Sequence, residues 1–386
     1  MWKDKLASQM DPDVLIIGGG VIGLSIAREL HKTGVDRILL IEKAVCGAEA
    51  SWAAAGMLSP QAETDDTGSF FDLCSASRDM YPGFSAELAA ETGVEIGLDR
   101  QGTLYLAFSN EDHQHLLEKY KYQQQAGLDL EYLSTEQVID AEPNISPDVI
   151  GGLLFSNDWQ VDNRKLCEAL IKYAAVNNVE IRENTAALNV LVESGRVNGV
   201  ETNVGPIKAG TVILAAGAWS SVVGLGDGAL PFDIKPVRGQ ILEFTTSVRS
   251  FRHVIYTPTG YIVPRADGRV LAGSTTEHAG FVKEVTENAR THLGHVAKEI
   301  SPLLTDSHVT GSWSGLRPFV ADGLPVLGPM PGGEGLIIAA GHYRNGILLA
   351  PITGKMIADL VTGESNADNF LPFGVDRFLT RRAGVA

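Results

Sequence analysis

Gly18, Gly20 and Gly23 stand in the run Val14-Leu15-Ile16-Ile17-Gly18-Gly19-Gly20-Val21-Ile22-Gly23, and Glu42 closes a second apolar run, Arg37-Ile38-Leu39-Leu40-Ile41-Glu42. Glycines at this spacing, between an apolar strand and an apolar helix, suit the grip of a dinucleotide pyrophosphate. Gly18 permits the tight turn, Gly20 lets the backbone approach the phosphates, and Gly23 lets the helix pack closely on the strand. The phosphates then cap the helix N-terminus, where free N–H groups and the positive end of the dipole point outward. Glu42, about 20 residues on, is placed to accept hydrogen bonds from ribose hydroxyls, and its charge disfavours a 2′-phosphate.

The elements that must carry this motif follow from the pattern of apolar residues. Strand, helix and strand occupy about 13–42, with His31-Lys32-Thr33-Gly34 closing the helix through a basic last turn and a glycine stop. Residues 48–61 contain Ser51-Trp52-Ala53-Ala54-Ala55-Gly56-Met57. Its small side chains suit either a backbone lying against a flat ligand or a short alanine-rich helix start. Helices are predicted over 70–91, 111–126, 163–177 and 284–300, and strands over 102–108, 151–155, 179–182, 186–193, 196–201 and 211–216. From Gly239 to Gly273 short strands alternate with turns, the grammar of an antiparallel sheet. Gly315-Leu316-Arg317-Pro318 reads as a turn between apolar segments. A last strand, Gly335–Gly341, leads into a helix ending near Gly363, and residues 1–11 form a polar leader. A nucleotide-binding half is thus interrupted at least twice by strand-rich segments.

At 386 residues the chain is too long for one ordinary core, and two intertwined domains are expected. A net charge of -16 repels phosphate backbones and anionic lipids, which weighs against nucleic-acid and membrane partners. Cys46, Cys74 and Cys167 are odd in number and widely spaced, so they form neither a disulfide framework nor a metal cluster. With no long uncharged segment and no cleavage site after a basic start, a cytoplasmic location is expected.

Taken together, Gly18–Gly23, Ser51–Met57, Leu214-Ala-Ala-Gly-Ala-Trp-Ser220, Tyr261-Ile-Val-Pro-Arg265, Gly315–Pro318 and Gly341-His-Tyr-Arg-Asn-Gly-Ile-Leu-Leu-Ala-Pro351 resemble the D-amino-acid oxidase superfamily of FAD amine oxidoreductases. Within it, the bacterial glycine oxidase group of thiamine biosynthesis is the nearest likeness, over about 13–365. The resemblance implies an α/β fold: a two-part Rossmann-like FAD domain (12–90, 151–225 and 313–370) interleaved with an α+β substrate domain on a mostly antiparallel sheet (91–150 and 226–312). It implies that Gly18, Gly20, Val21, Ile22, Gly23, Glu42 and Lys43 hold the pyrophosphate and adenosine end, with Ala187 and Gly217 nearby. Ala50, Ser51, Ala55, Gly56 and Met57 are implied to line the isoalloxazine. His342, Tyr343, Arg344, Asn345, Gly346, Ile347 and Leu348 are implied to wrap the flavin pyrimidine, the helix after them aiming its N-terminus at the ring's O2 edge.

The same resemblance makes Arg317 the clamp for a substrate carboxylate, Tyr261 a hydroxyl donor to that carboxylate and Arg344 a third residue of the substrate pocket. A planar guanidinium matches a planar carboxylate bidentately. Thr276 is implied to stand in the pocket where glycine oxidases carry a bulkier apolar residue. No cysteine follows Cys167, so the FAD is expected to be non-covalent. The implied reaction oxidatively deaminates glycine or another small amine by hydride transfer to flavin N5, with oxygen as acceptor and the imine supplied to thiazole synthesis. It needs no side-chain acid or base and no metal, and relatives form homotetramers. A D-amino-acid dehydrogenase or oxidase and a sarcosine-type amine oxidase remain alternatives, with a non-catalytic flavin-binding protein more distant.

Overall fold

The computed structural model describes residues 11–64, 66–226 and 228–382, so the polar leader at 1–10 lies outside the described residues. Strand Val14–Ile17 is buried along its whole length, which suits a parallel strand covered on both faces. It pairs in parallel with Ile38–Ile41 on one side and Val212–Leu214 on the other. The completed sheet has six strands in the order 326–329, 336–340, 212–214, 14–17, 38–41 and 180–182, all parallel except the first. Alternate residues of its strands face two cores. Ile16, Leu40 and Ile213 pack under helices Val21–Lys32, Asn163–Val176 and Ala350–Thr362, while Leu15, Leu39 and Val212 meet a small sheet built on 187–193 and 196–202.

The second large sheet has eight strands, in the order 309–320, 234–245, 269–273, 260–264, 254–257, 103–107, 151–155 and 131–134. Every pairing is antiparallel except that of 254–257 with 103–107. The two-residue period again sorts the side chains. Ile255 and Ile262 face helix Glu287–Ile300 through Leu293, Val296 and Ala297, whereas their neighbours Tyr256 and Tyr261 turn toward the first sheet. Ile241, Val263 and Leu271 complete that inner face.

Two expectations are corrected. Gly315–Pro318 is no turn: it lies inside the twelve-residue strand Val309–Val320, paired over most of its length with Ile234–Thr245. Pro318 lies opposite Pro236, and two residues that lack N–H groups fit a non-hydrogen-bonded pair of an antiparallel ladder. Gly315 is required by packing, because a Cβ there would come within 2.6 Å of the Ala53 Cβ. Strand Gly151–Phe155, expected to open the second cofactor segment, instead joins the eight-stranded sheet, where its backbone groups pair with 103–107 and 131–134.

Candidate functional site

A cavity of about 430 Å³ runs between the two large sheets, from the glycine turn after the first strand to the inner face of the second sheet. Of the residues expected to hold a cofactor, all line it except Gly23 and Leu348. These two stand behind the wall. A Cβ at Gly23 would lie 2.0 Å from the Gly18 carbonyl oxygen, so Gly23 serves helix–strand contact. Leu348 points into the helical core, and its carbonyl accepts a 2.6 Å hydrogen bond from the Ser77 hydroxyl.

At the glycine end, helix Val21–Lys32 begins without a side-chain cap from its own N-cap residue, Gly20. Gly20 is extended (φ -77°), and a Cβ built on it would meet only the Ser51 Oγ, at 3.3 Å. Apart from that hydroxyl no atom stands within 4 Å of where the Cβ would be, so the backbone at this helix N-terminus is left bare for close approach, as a phosphate requires. The Ser51 hydroxyl accepts from the Val21 N–H at 3.0 Å and ties the alanine-rich segment to this turn. Glu42 is buried, and its two oxygens accept from the Gly19 and Ala44 N–H groups at 2.9 and 3.0 Å. A carboxylate has about four acceptor positions, so this anchoring leaves capacity for ribose hydroxyls. Lys43 stacks its ammonium 3.9 Å from the Trp219 ring centroid and pairs with Glu49 at 2.9 Å, forming the rim.

The middle of the cavity is walled by Ala50, Ser51 and residues 53–57, and the reading of this stretch as a short alanine-rich helix start holds. Ala50–Ala53 is a short helix; Ala54 is extended and Gly56 takes a left-handed φ of +77°. A Cβ at Gly56 would lie 2.1 Å from the Val161 carbonyl. The wall is held from behind by Asn163, whose amide donates to the Ser51 and Trp52 carbonyls at 2.8 and 2.9 Å. Arg265, whose sequence position gave no hint of this role, is buried behind the same wall and donates to the Ala55 carbonyl at 2.7 Å and to Asn163 at 3.2 Å. Burial pushes this guanidinium down to about 10, but at neutral pH it keeps its charge.

The tail loop closes the opposite wall. His342 through Ile347 line it, Tyr343 adopts a left-handed φ of +47°, and the Tyr343 N–H donates to the Pro318 carbonyl at 3.1 Å. The Tyr81 hydroxyl and Ser77 fix the carbonyls of Ile347 and Leu348. The N–H groups of Gly346 and Ile347 carry no hydrogen bond among the described residues, which leaves donors for a ligand just before helix Ala350–Thr362. Donor-rich turns at both ends and a smooth alanine wall between them fit the pyrophosphate, ring edge and flat face of FAD.

His342 is buried, and Nε2 lies 3.1 Å from the Thr353 hydroxyl. Burial holds its imidazole down to about 3, so it is neutral at physiological pH. The unfolded chain protonates a histidine near 6.5 and therefore binds more protons between about pH 3 and 6.5, so stability is lost as the pH falls through that window. Asp158, buried and raised to about 7, works with the opposite sign. A His342→Gln comparison cancels the Asp158 contribution. On going from pH 7.5 to 5.5 the variant is expected to lose about 1 kcal/mol less stability than the parent, read from paired thermal melts.

At the substrate end, strand Val309–Val320 presents Arg317, half-buried and lining the cavity. Its guanidinium donates to the Ser274 hydroxyl at 2.7 Å and the Thr275 carbonyl at 3.1 Å, and no carboxylate pairs with it among the described residues. Tyr261 is buried on the neighbouring inner face, and burial raises its hydroxyl above the usual phenol range, so it is a donor at neutral pH. Arg344 also lines the cavity, but its charge is already matched. It lies 3.4 Å from Glu63 and donates to the Tyr256 hydroxyl at 2.8 Å, and that hydroxyl donates to Glu63 at 2.7 Å. Glu63 and Tyr256, from a four-residue helix and a distant strand, carried no sequence signal. Thr276 is corrected: it is exposed and outside the cavity lining, because the chain turns outward after Ser274.

The family model for FAD dependent oxidoreductases (DAO) matches residues 13–360. A glycine oxidase of Geobacillus kaustophilus (strain HTA426) is 35% identical over 370 residues, covering 95% of this chain and 97% of that protein. The bifunctional protein ThiO/ThiG of Synechocystis sp. (strain ATCC 27184 / PCC 6803 / Kazusa) is 36% identical, covering 96% of this chain and 55% of its own length. Among solved structures, the crystal structure of glycine oxidase from Geobacillus kaustophilus superimposes with a TM-score of 0.88 at 33% identity, covering 95% of this chain and 99% of that one. With the family model matched over residues 13–360 and a relative 35% identical over nearly its whole length, the chain belongs to the DAO family of FAD-dependent oxidoreductases.

Proposed function

We propose that the protein is an FAD-dependent oxidase that converts glycine, oxygen and water to glyoxylate, ammonia and hydrogen peroxide, and that it also accepts other small amines. The observation that carries this reading is Arg317, an unmatched cation beside a buried phenol in the same cavity as the dinucleotide turn. An amino-acid carboxylate supplies the missing anion, and the Tyr261 hydroxyl donates to it. Fixing the carboxylate at one end orients the Cα–H bond toward the alanine-walled middle of the cavity. FAD held there would supply the hydride acceptor and the route for electrons to oxygen. Protein side chains have only to bind and orient: Tyr261 stays protonated, His342 stays neutral and hydrogen-bonded, and Glu63 is committed to Tyr256 and Arg344. The amine loses its proton before transfer, so no side-chain base is needed.

The glycine oxidases and ThiO/ThiG proteins to which the chain is similar support this substrate and a role in making the imine for thiamine thiazole. Cytoplasmic location and a homotetramer belong to the same proposal; among the described residues no helix is long and apolar enough to cross a membrane. Anaerobic mixing of the purified holoenzyme with glycine, sarcosine and D-alanine should bleach the flavin, glycine included, and air should release peroxide. Bleaching by D-alanine but never by glycine would transfer the protein to the D-amino-acid group. No bleaching by any of them would end the proposal.

Gly239 offers a separate check on Arg317. A Cβ at this position would lie 2.2 Å from both terminal guanidinium nitrogens, so only glycine lets the arginine lie flat over the neighbouring strand. Gly239→Ala is expected to raise the KM for glycine about tenfold or more with normal FAD content, since a displacement near 1 Å costs on the order of a hundredfold in positioned reactions. Steady-state kinetics beside the flavin absorbance of the purified variant measure both.

A further inference from the structure

Two arginines line the substrate end of the cavity, yet they are electrically unequal. Arg317 meets only a hydroxyl and a carbonyl, both neutral. Arg344 meets Glu63, 3.4 Å away, and Tyr256 closes the triangle by accepting from Arg344 at 2.8 Å and donating to Glu63 at 2.7 Å. The two arginines and Glu63 all act electrostatically on the buried Tyr261 hydroxyl, so they share one neighbourhood. Two cations and one anion leave this end of the cavity with a single net positive charge.

We propose that Glu63 is a specificity-determining residue: by neutralising Arg344 it limits the pocket to amines with one carboxylate and turns away amines with two. This rests on the reading of Arg317 as the carboxylate clamp. An amino acid with one carboxylate satisfies Arg317 and asks nothing of Arg344. A second carboxylate in this partly dry space would meet an arginine already matched and a glutamate of its own sign, and like charge repels it. Specificity obtained in this way comes from repulsion of the wrong ligand as much as from attraction of the right one. Tyr256 keeps the lock closed, since its hydroxyl bonds to both partners at once.

The test reads ligand binding, so it does not depend on turnover. Parent holoenzyme and variants are titrated with acetate and with malonate while the flavin absorbance is followed, and the ratio of the two dissociation constants is compared; differences in ligand size cancel between variants. Glu63→Gln keeps the shape and an acceptor for Tyr256 but frees Arg344, and should shift the ratio toward malonate at least tenfold. Arg344→Met alone leaves Glu63 unmatched and should move the ratio the other way. The double variant Glu63→Gln/Arg344→Met, again with one net positive charge, should return toward the parent. In turnover, kcat/KM for iminodiacetate relative to glycine should rise in Glu63→Gln alone. Equal changes for acetate and malonate, or a ratio that stays within threefold in both single variants, would show a purely structural latch and overturn the proposal. If Glu63→Gln does not fold, Arg344→Met decides by its own direction. A parent that no amine reduces, combined with the expected shift in ratio, would reject the oxidase reading and leave the charge lock standing; glycine oxidation with an unmoved ratio would do the reverse.

Discussion

Arg317→Ala is expected to lower kcat/KM for glycine by about 30-fold to several thousand-fold while the protein still purifies with its flavin. The range follows from the cost of truncating one member of a desolvated charge pair, about 2–5 kcal/mol, with each 1.4 kcal/mol worth a factor of ten. Loss should appear mainly in KM, because the guanidinium holds the carboxylate before and during the reaction alike. The structure indicates why FAD should stay. Arg317 is anchored to Ser274 and Thr275, on the opposite side of the cavity from the glycine turn, and none of the groups that anchor Glu42, Ser51 or Arg265 touches it. Arg317→Lys should fall between parent and alanine variant, since an ammonium keeps the charge but not the planar fork. Glycine turnover by the alanine variant at the parental rate and KM would remove Arg317 from the substrate site.

The sequence made the cofactor end far more legible than the substrate end, and the difference has a physical origin. Around Gly18–Gly23 the constraints are local: a positive φ at Gly18, close helix contact at Gly23 and an acid at the end of the next strand all fall within thirty residues. The two strands and the helix are also buried along their apolar runs, so periodicity reports them directly. Toward the substrate end several of the contacts join residues about two hundred or more positions apart. Glu63 meets Tyr256 and Arg344, and Arg265 reaches back to Ala55. No pattern within a window of the chain encodes such pairs.

Gly315–Pro318 was misread for a related reason. Glycine and proline usually break strands, but here Gly315 makes room for Ala53 and Pro318 sits on an edge strand opposite another proline. The residues that hold the alanine-rich wall from behind were invisible on the same grounds, although that wall's smallness was plain.

Gly20→Val is expected to give a folded protein with almost no FAD, the largest effect on cofactor binding that one substitution in the glycine turn can produce without loss of the fold. The three motif glycines differ in what a side chain would meet. At Gly18, with φ of +114°, a Cβ would fall 2.4 Å from the Ala215 carbonyl oxygen, and at Gly23 it would fall 2.0 Å from that of Gly18. Either change forces the backbone apart. Gly20 is extended at φ -77° and ψ 176°, within reach of any residue, and its Cβ would enter the cavity with only the Ser51 hydroxyl nearby. A valine there suits the backbone angles, crowds the Ser51 hydroxyl that accepts from the Val21 N–H, and fills the space through which helix N–H groups reach a phosphate. Losing two charge-assisted hydrogen bonds at about 1.5–3 kcal/mol each weakens FAD binding by roughly two to four orders of magnitude. The melting temperature of the variant should therefore match that of the FAD-stripped parent, while the parent's own rises on adding FAD. Both quantities come from one thermal-shift series with and without cofactor. A yellow Gly20→Val protein with a parental flavin ratio would mean that the phosphates lie elsewhere and that the open space beside this helix serves some other group.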